Sequence, residues 1–254
     1  MKLIKPMLLS YQDEVTSDPN CLYEPKFDGF RLLLENARSY TRHGTITTSK
    51  LPELFFEGNG TLLDGELIAP GTEAPDNFAG AMSRFGGNRA QPISYMAFDI
   101  LYYKDEPVTQ WPIENRRELL QEVVTGIDSP HIKLVPQVRG EGEQLFEVMK
   151  QSKMEGIVSK ELGSLYFPDT RSQKWRKIIN WSFHDCLVSK ITFKPLTVQF
   201  QSLDGGYLGS TSIGFTRDLR IQLVTLQPPF AVKVKARGWT SNGLLRLPQI
   251  IEII

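Results

Sequence analysis

Histidine and cysteine are scarce in this chain of 254 residues, with three of the first and two of the second. His43, His131 and His184 are far apart, and Cys21 and Cys186 sit in no C-x-x-C pair. That spacing excludes a zinc-type ligand cluster and a disulfide framework. Two solitary cysteines suit reduced thiols, as in a cytoplasmic protein. Long hydrophobic runs are missing as well. No stretch approaches the roughly 18–20 apolar residues of a membrane helix. Residues 1–10 are interrupted by Lys5 and Pro6 and hold no apolar core for export. The expectation is a chain with no membrane partner. There is no Walker A loop, no dinucleotide-binding glycine fingerprint, no G-x-S-x-G elbow, no internal repeat and no low-complexity tract. Net charge is absent too, because 29 Lys and Arg balance 29 Asp and Glu.

What is present is an ordinary apolar fraction, 41%, enough for a folded core and enough to exclude wholesale disorder. The neutral average hides a gradient. From residue 183 onward there are eight basic against four acidic side chains, and before it 21 against 25. A basic C-terminal piece fits a phosphate-binding footprint and a chance fluctuation of surface charge about equally well.

Periodicity predicts a mixed α+β chain. Strands are expected over Arg31–Glu35, Thr61–Ala69, Ile93–Tyr103 and Gly156–Ser159. Helices are expected over Asp76–Arg84 with Asp76 as N-cap, over Ile113–Ile127, and over Gly142–Lys153 with Leu145, Val148 and Met149 on the buried side. After Asn180 the texture changes to short β-prone runs separated by Asp204-Gly205-Gly206, Pro228-Pro229 and Asn242-Gly243, with little helix. That texture predicts a small barrel. The boundary is expected between Trp181 and Asp185, giving domains 1–182 and 183–254.

The most informative segment is Glu24-Pro25-Lys26-Phe27-Asp28-Gly29-Phe30-Arg31. It puts a lysine where a strand ends in an Asp-Gly turn. Five more segments follow: Arg42-His43-Gly44, Leu63-Asp64-Gly65-Glu66-Leu67, Phe98-Asp99-Ile100-Leu101, Glu155-Gly156-Ile157-Val158-Ser159-Lys160, and Arg171-Ser172 with Trp175-Arg176-Lys177. In this order they resemble the K-x-D-G-x-R, R-x-G, D-G-E-L, F-D-I-L, E-G-[IV]-V-x-K and R-S-x-x-W-x-K elements of covalent nucleotidyltransferases. The spellings are closest to the small ATP-dependent DNA ligases of bacteria and prophages.

The resemblance implies an antiparallel nucleotidyltransferase (adenylation) domain with flanking helices, followed by a small all-β OB-fold domain. It implies a monomer that seals nicked double-stranded DNA in replication, repair or recombination, with ATP as AMP donor and Mg²⁺ or Mn²⁺ as cofactor. Lys26 would be the catalytic nucleophile. Its amine must give up a proton before it can attack the α-phosphate, and neighbouring cations favour that loss. Glu66 and Glu155 match the metal ligands, since Mg²⁺ prefers carboxylate oxygens and phosphates. Glu24 would accept the adenine amino group and so prefer ATP to GTP. Phe98 would stack on the base, and Arg31, Arg42, Arg171 and Lys177 would hold ribose or phosphate oxygens. Lys233, Lys235 and Arg237 alternate, so they share one strand face, suited to a phosphate backbone or simply to solvent.

Two departures from the family pattern are visible. The closing element usually has K-x-K, whereas here Lys177 is followed by Ile178-Ile179. The stretch Trp239–Pro248 resembles the approach to a last motif, but no R-x-D-K follows before Ile254. Both bear on self-adenylation. They keep open a nick-binding protein impaired in the first step; an RNA-joining or RNA-repair ligase of the same superfamily is a separate alternative.

Overall fold

A computed structural model describes residues 3–36, 38–71, 76–240 and 242–254. Of the segments named above, Met1, Lys2 and Ser241 lie outside the described residues. The chain divides into two compact units, Met1–Ile179 and Asn180–Ile254.

The first unit begins with strands β1 (Leu8–Tyr11), β2 (Cys21–Lys26), β3 (Phe30–Glu35), β4 (Arg38–Thr41) and β5 (Leu62–Ile68). Helix α1 (Phe78–Phe85), strands β6 (Ser94–Tyr103) and β7 (Glu106–Pro107) and helix α2 (Ile113–Gly126) follow. It closes with β8 (Ile132–Leu134), β9 (Val138–Arg139), α3 (Gly142–Gln151), β10 (Gly156–Glu161) and β11 (Arg171–Ile179). Two sheets result. One has the order β1-β11-β10-β2-β9, the other β4-β3-β5-β6-β7 with β8 beside β6. This is a mixed α+β architecture, as the sequence predicts.

The sheets are built from apolar runs. Leu32, Leu34, Leu63, Tyr95, Ala97 and Ile100 of β3, β5 and β6 form one core with Leu120 of α2. Tyr23, Ile157 and Ile178 of β2, β10 and β11 form another with Met149 of α3. Each fully buried Leu or Ile contributes roughly 1.5–3 kcal/mol. Two glycines of the sequence motifs are fixed by close backbone approach. A Cβ on Gly29 would lie 2.1 Å from the Leu67 carbonyl oxygen, and one on Gly156 (φ +143°) 2.0 Å from that of Ile178.

The second unit runs β12 (Ser182–Phe193), β13 (Leu196–Gln201), β14 (Tyr207–Thr211), α4 (Arg217–Thr225), β15 (Phe230–Ala236) and β16 (Gln249–Ile253). Its sheet has the order β14-β13-β12-β15-β16. Val188, Val198, Phe200, Leu223, Val232 and Val234 fill its core. No helix among the described residues is long and apolar enough to cross a membrane.

Three local expectations are corrected. Asp76 does not cap α1. Asn77 does, accepting the Gly80 N–H at 3.2 Å, because Asp76 is drawn to the turn after β2. Val148 is 52% exposed rather than buried, since α3 turns Met149 toward the sheet. The second unit holds a nine-residue helix, α4, capped by the Thr216 side chain. Its weak apolar stripe, with Leu223 buried but Ile221 and Val224 exposed, hides it from a periodicity reading.

Candidate active site

A cavity of about 740 Å³ opens between the two sheets of the first unit. Glu24, Lys26, Arg31, Arg42, Glu66, Phe98, Arg171 and Lys177 all line it. Residues from five separate sequence segments therefore meet on one surface. Glu155, the first residue of a sixth, reaches Lys26.

The strand order explains the convergence. β2, β10 and β11 are neighbours, with Lys26 opposite Gly156, and Val158 opposite both Glu24 and Lys177. Lys26 ends β2 and Glu155 immediately precedes β10, so the Lys26 Nζ lies 2.7 Å from the Glu155 Oε1. On the facing sheet Arg31 pairs in register with Glu66, and Glu66 with Met96 two residues before Phe98. Phe98 is the extra residue of a bulge in β6 and packs with Met96 against Ile68 and Val135, so the two share a face.

One part of the cavity wall is held by a buried ion pair. Glu24 is 2% exposed, and its Oε2 accepts the Lys160 Nζ at 2.6 Å while its Oε1 accepts the Gln137 side-chain amide at 2.8 Å. Lys160 also donates to the Phe98 carbonyl at 3.2 Å and lies 5.0 Å from the Phe98 ring centroid and 4.3 Å from that of Trp175. Burial pulls the Lys160 amine below its usual range, and Glu24 and Asp99 oppose that pull.

Arg31 is committed to the protein. It makes a bidentate pair with Asp64 at 2.9 and 2.6 Å and donates to the Met7 carbonyl at 2.6 Å. Tyr166 donates to the same carboxylate at 2.6 Å. The guanidinium lies 5.3 Å from the Phe98 ring centroid, so this rigid frame also backs the Phe98 ring. Asp64 stands opposite Asp99 in the β5–β6 ladder. Like charges facing across strands destabilise a sheet. Here each is neutralised by its own arginine, Asp99 by the fully buried Arg116 at 2.8 and 2.9 Å. The aspartates of D-G-E-L and F-D-I-L are thus structural.

Glu66 is the perturbed carboxyl. Burial at the cavity wall pushes it up to about 8, with Lys26 and Arg31 opposing the rise and Glu155 and Asp64 adding to it. A carboxylate so poorly solvated fits a cation, which would restore the charge balance. No group of three or more His, Cys, Asp or Glu side chains gathers among the described residues. Two carboxylates still suffice for Mg²⁺, which completes its shell with phosphate and water oxygens. The donor set of Glu66 and Glu155 fits that ion.

At the outer end, the Arg42 Nε donates to the His43 Nε2 at 2.9 Å, and the Arg171 guanidinium donates to the Leu9 carbonyl. Ile179, on the strand face of Lys177, is 6% exposed, so an apolar side chain is packed two residues beyond that lysine. Lys233 and Lys235 stand on β15, and Arg237 follows its end. They belong to the second unit and do not line the cavity.

The sequence motifs include Lys160, yet its spelling carried no role until Glu24 was seen beside it. Gln137, Tyr166 and Arg116 lie outside every motif and had no signal in sequence. Asp76 was misread as a cap.

Residues 5–178 match the family described as ATP dependent DNA ligase domain. The SPbeta prophage-derived DNA ligase-like protein LigB of Bacillus subtilis (strain 168) is 31% identical over 96% of this chain and 97% of its own length. A Lig E DNA ligase structure, from work on DNA binding with a minimal scaffold, superposes with a TM-score of 0.76 at 18% identity, covering 99% of this chain and all of that one. A mycobacterial DNA ligase D complexed with ATP and MES gives 0.66 at 20% identity over 99% and 95% of the two chains. The two structural likenesses establish the fold, and the sequence matches establish the relationship: this chain belongs to the family of ATP-dependent DNA ligases.

Proposed function

We propose that the protein seals 3′-hydroxyl/5′-phosphate nicks in duplex DNA through a lysyl-AMP intermediate on Lys26. The observation that carries this reading is the convergence of eight motif residues on one cavity with the Lys26 amine at its wall. In the first step Nζ bonds to the α-phosphorus of ATP, the bond to the β-phosphate oxygen breaks, and pyrophosphate leaves. Glu24 receives the adenine amino group. Because Gln137 and Lys160 already hold both its oxygens, it is kept in place as an acceptor. Phe98 stacks on the base, and Lys177, Arg42 and Arg171 meet phosphate oxygens. Glu66 and Glu155 would hold Mg²⁺, which when bound would supply positive charge that favours the neutral amine and offsets charge on the phosphates. AMP then passes to the 5′-phosphate of the nick, and the 3′-hydroxyl displaces it. Each step is group transfer, dominated by positioning and electrostatics.

Residues 1–182 are read as the adenylation domain and residues 183–254 as an OB-fold domain. Five strands with a helix between the third and fourth support the second assignment. Lys233, Lys235 and Arg237 would track the DNA backbone from its outer face. The protein is expected to act as a cytoplasmic monomer.

Purified protein incubated with ATP, Mg²⁺ and nicked duplex tests the reading. Sealing is expected, and its loss in Lys26→Ala with it. No sealing of either a plain or a pre-adenylated nick would overturn it. The buried Ile179 favours a slow first step, so a pre-adenylated nick should close faster than a plain nick with ATP. Parallel nicks with DNA and with RNA strands decide between DNA and RNA joining.

A further inference from the structure

We propose that Asp76 is a positioning residue for the nucleophile, acting through a hydrogen bond to the backbone turn that follows Lys26. The inference rests on Lys26 being the residue that takes up AMP.

Lys26 is the last residue of β2, and β3 begins at Phe30, so residues 27–29 make the whole turn. The near side of Lys26 is fixed by the ladder to Gly156. The far side has two clamps. Gly29 lies so close to the Leu67 carbonyl that no side chain fits between them. Asp28 donates its backbone N–H to the Asp76 Oδ2 at 2.6 Å. Asp76 is 8% exposed and belongs to no sequence motif. It is brought there by its neighbour, since the Asn77 N–H donates to the Ala69 carbonyl at 2.9 Å and the Asn77 side chain caps α1. Asp76, held in place beside the N-cap residue Asn77, therefore braces the lysine turn. Burial raises the Asp76 carboxyl to about 6, with Asp28 and Glu155 adding and the Asp28 N–H and Lys26 opposing. At neutral pH it remains an acceptor.

A displacement of the attacking atom by about 1 Å is enough to cost on the order of 100-fold in a positioned reaction. The braced turn is needed in the steps that make and break the Lys26–AMP bond. It is not needed when the 3′-hydroxyl attacks a nick that is already adenylated. The test measures single-turnover rates of lysyl-AMP formation and of closing a pre-adenylated nick, side by side, for wild type, Asp76→Ala, Asp76→Asn, Asp76→Glu and Lys26→Ala.

Asp76→Ala is expected to slow adduct formation by about 10- to 100-fold, with little change in the KM for ATP, while closure of the pre-adenylated nick stays within about three-fold of wild type. Asp76→Asn keeps a carbonyl acceptor and should restore most of the rate. Asp76→Glu keeps the charge but shifts the acceptor, and should remain slow, which covers the case in which the alanine variant fails to fold. Equal slowing of both steps, wild-type adduct formation in Asp76→Ala, or no rescue by asparagine overturns the proposal. A labelled adduct persisting in Lys26→Ala instead overturns the reading of Lys26, so the two failures are distinct.

Discussion

The cavity of the first unit and the β15 face of the second both gather basic side chains, and they do so under different physics. Around Glu24 and Lys26 in the cavity, charges are paired at hydrogen-bond distance and largely taken out of water. Glu24 and Lys160 show side chains 3% and 2% exposed at 2.6 Å, and Lys26 meets Glu155 at 2.7 Å. On β15, Lys233 and Lys235 alternate with the buried Val232, Val234 and Ala236 and stay half in water. Lys233 stands between Asp185 and Glu252 on the neighbouring strands, whereas Lys235 faces Phe183 and lies 4.9 Å from the Trp181 ring centroid. A desolvated charge dictates its partner, so a short motif fixes geometry. A solvated charge gains little from any one neighbour, and an alternating pattern fixes only which face it is on.

The largest effect that would break this contrast is expected at the buried pair. Lys160→Met leaves the Glu24 carboxylate uncompensated and should destabilise the first unit by about 3–5 kcal/mol in urea denaturation. The double change with Glu24→Gln should recover much of that loss. A smaller loss than an exposed ion pair gives would mean that the pair is not desolvated.

Next comes Glu66. Its carboxyl ordinarily titrates near 4.5 and in the folded protein near 8. Between those values the folded state holds a proton that the unfolded chain has lost, so this group makes the ligand-free protein less stable as pH rises through that window. Glu66→Gln should flatten the fall, read from denaturation midpoints across that range. An unchanged slope would place the perturbation elsewhere.

The smallest effects belong to β15. Lys235→Ala should lower the salt slope of log Kd for nicked duplex by about 0.9 if its ammonium neutralises one phosphate. Lys233→Ala should lower it less, because Asp185 and Glu252 flank it on the neighbouring strands. Equal slopes for the two would erase the distinction drawn between them.

Much of this was legible in sequence because the informative residues act through the backbone. The Asp28-Gly29 turn and Gly156 are required by close approach of chain to chain, so their spelling specifies position. The strands followed from apolar runs that must be covered by a second layer. What escaped reading depends on contacts between segments far apart in the chain. Gln137 reaches Glu24 across 113 positions and Asp76 reaches Asp28 across 48. Arg31 was read as a ligand for phosphate or ribose, and nothing local in sequence reveals that Asp64, Tyr166 and Met7 occupy its donors. Helix α4 was missed because only Leu223 of its residues is buried.

The central claim is that the Lys26 amine forms a covalent bond to the phosphorus of AMP. Incubation with ATP and Mg²⁺ followed by peptide mapping in a mass spectrometer tests it directly. The account predicts one AMP per chain, on the peptide that carries Lys26, discharged as free AMP as the strand is sealed when nicked duplex is added. An AMP adduct on any other lysine, or sealing of a plain nick with ATP by a protein in which Lys26 is alanine, would contradict it.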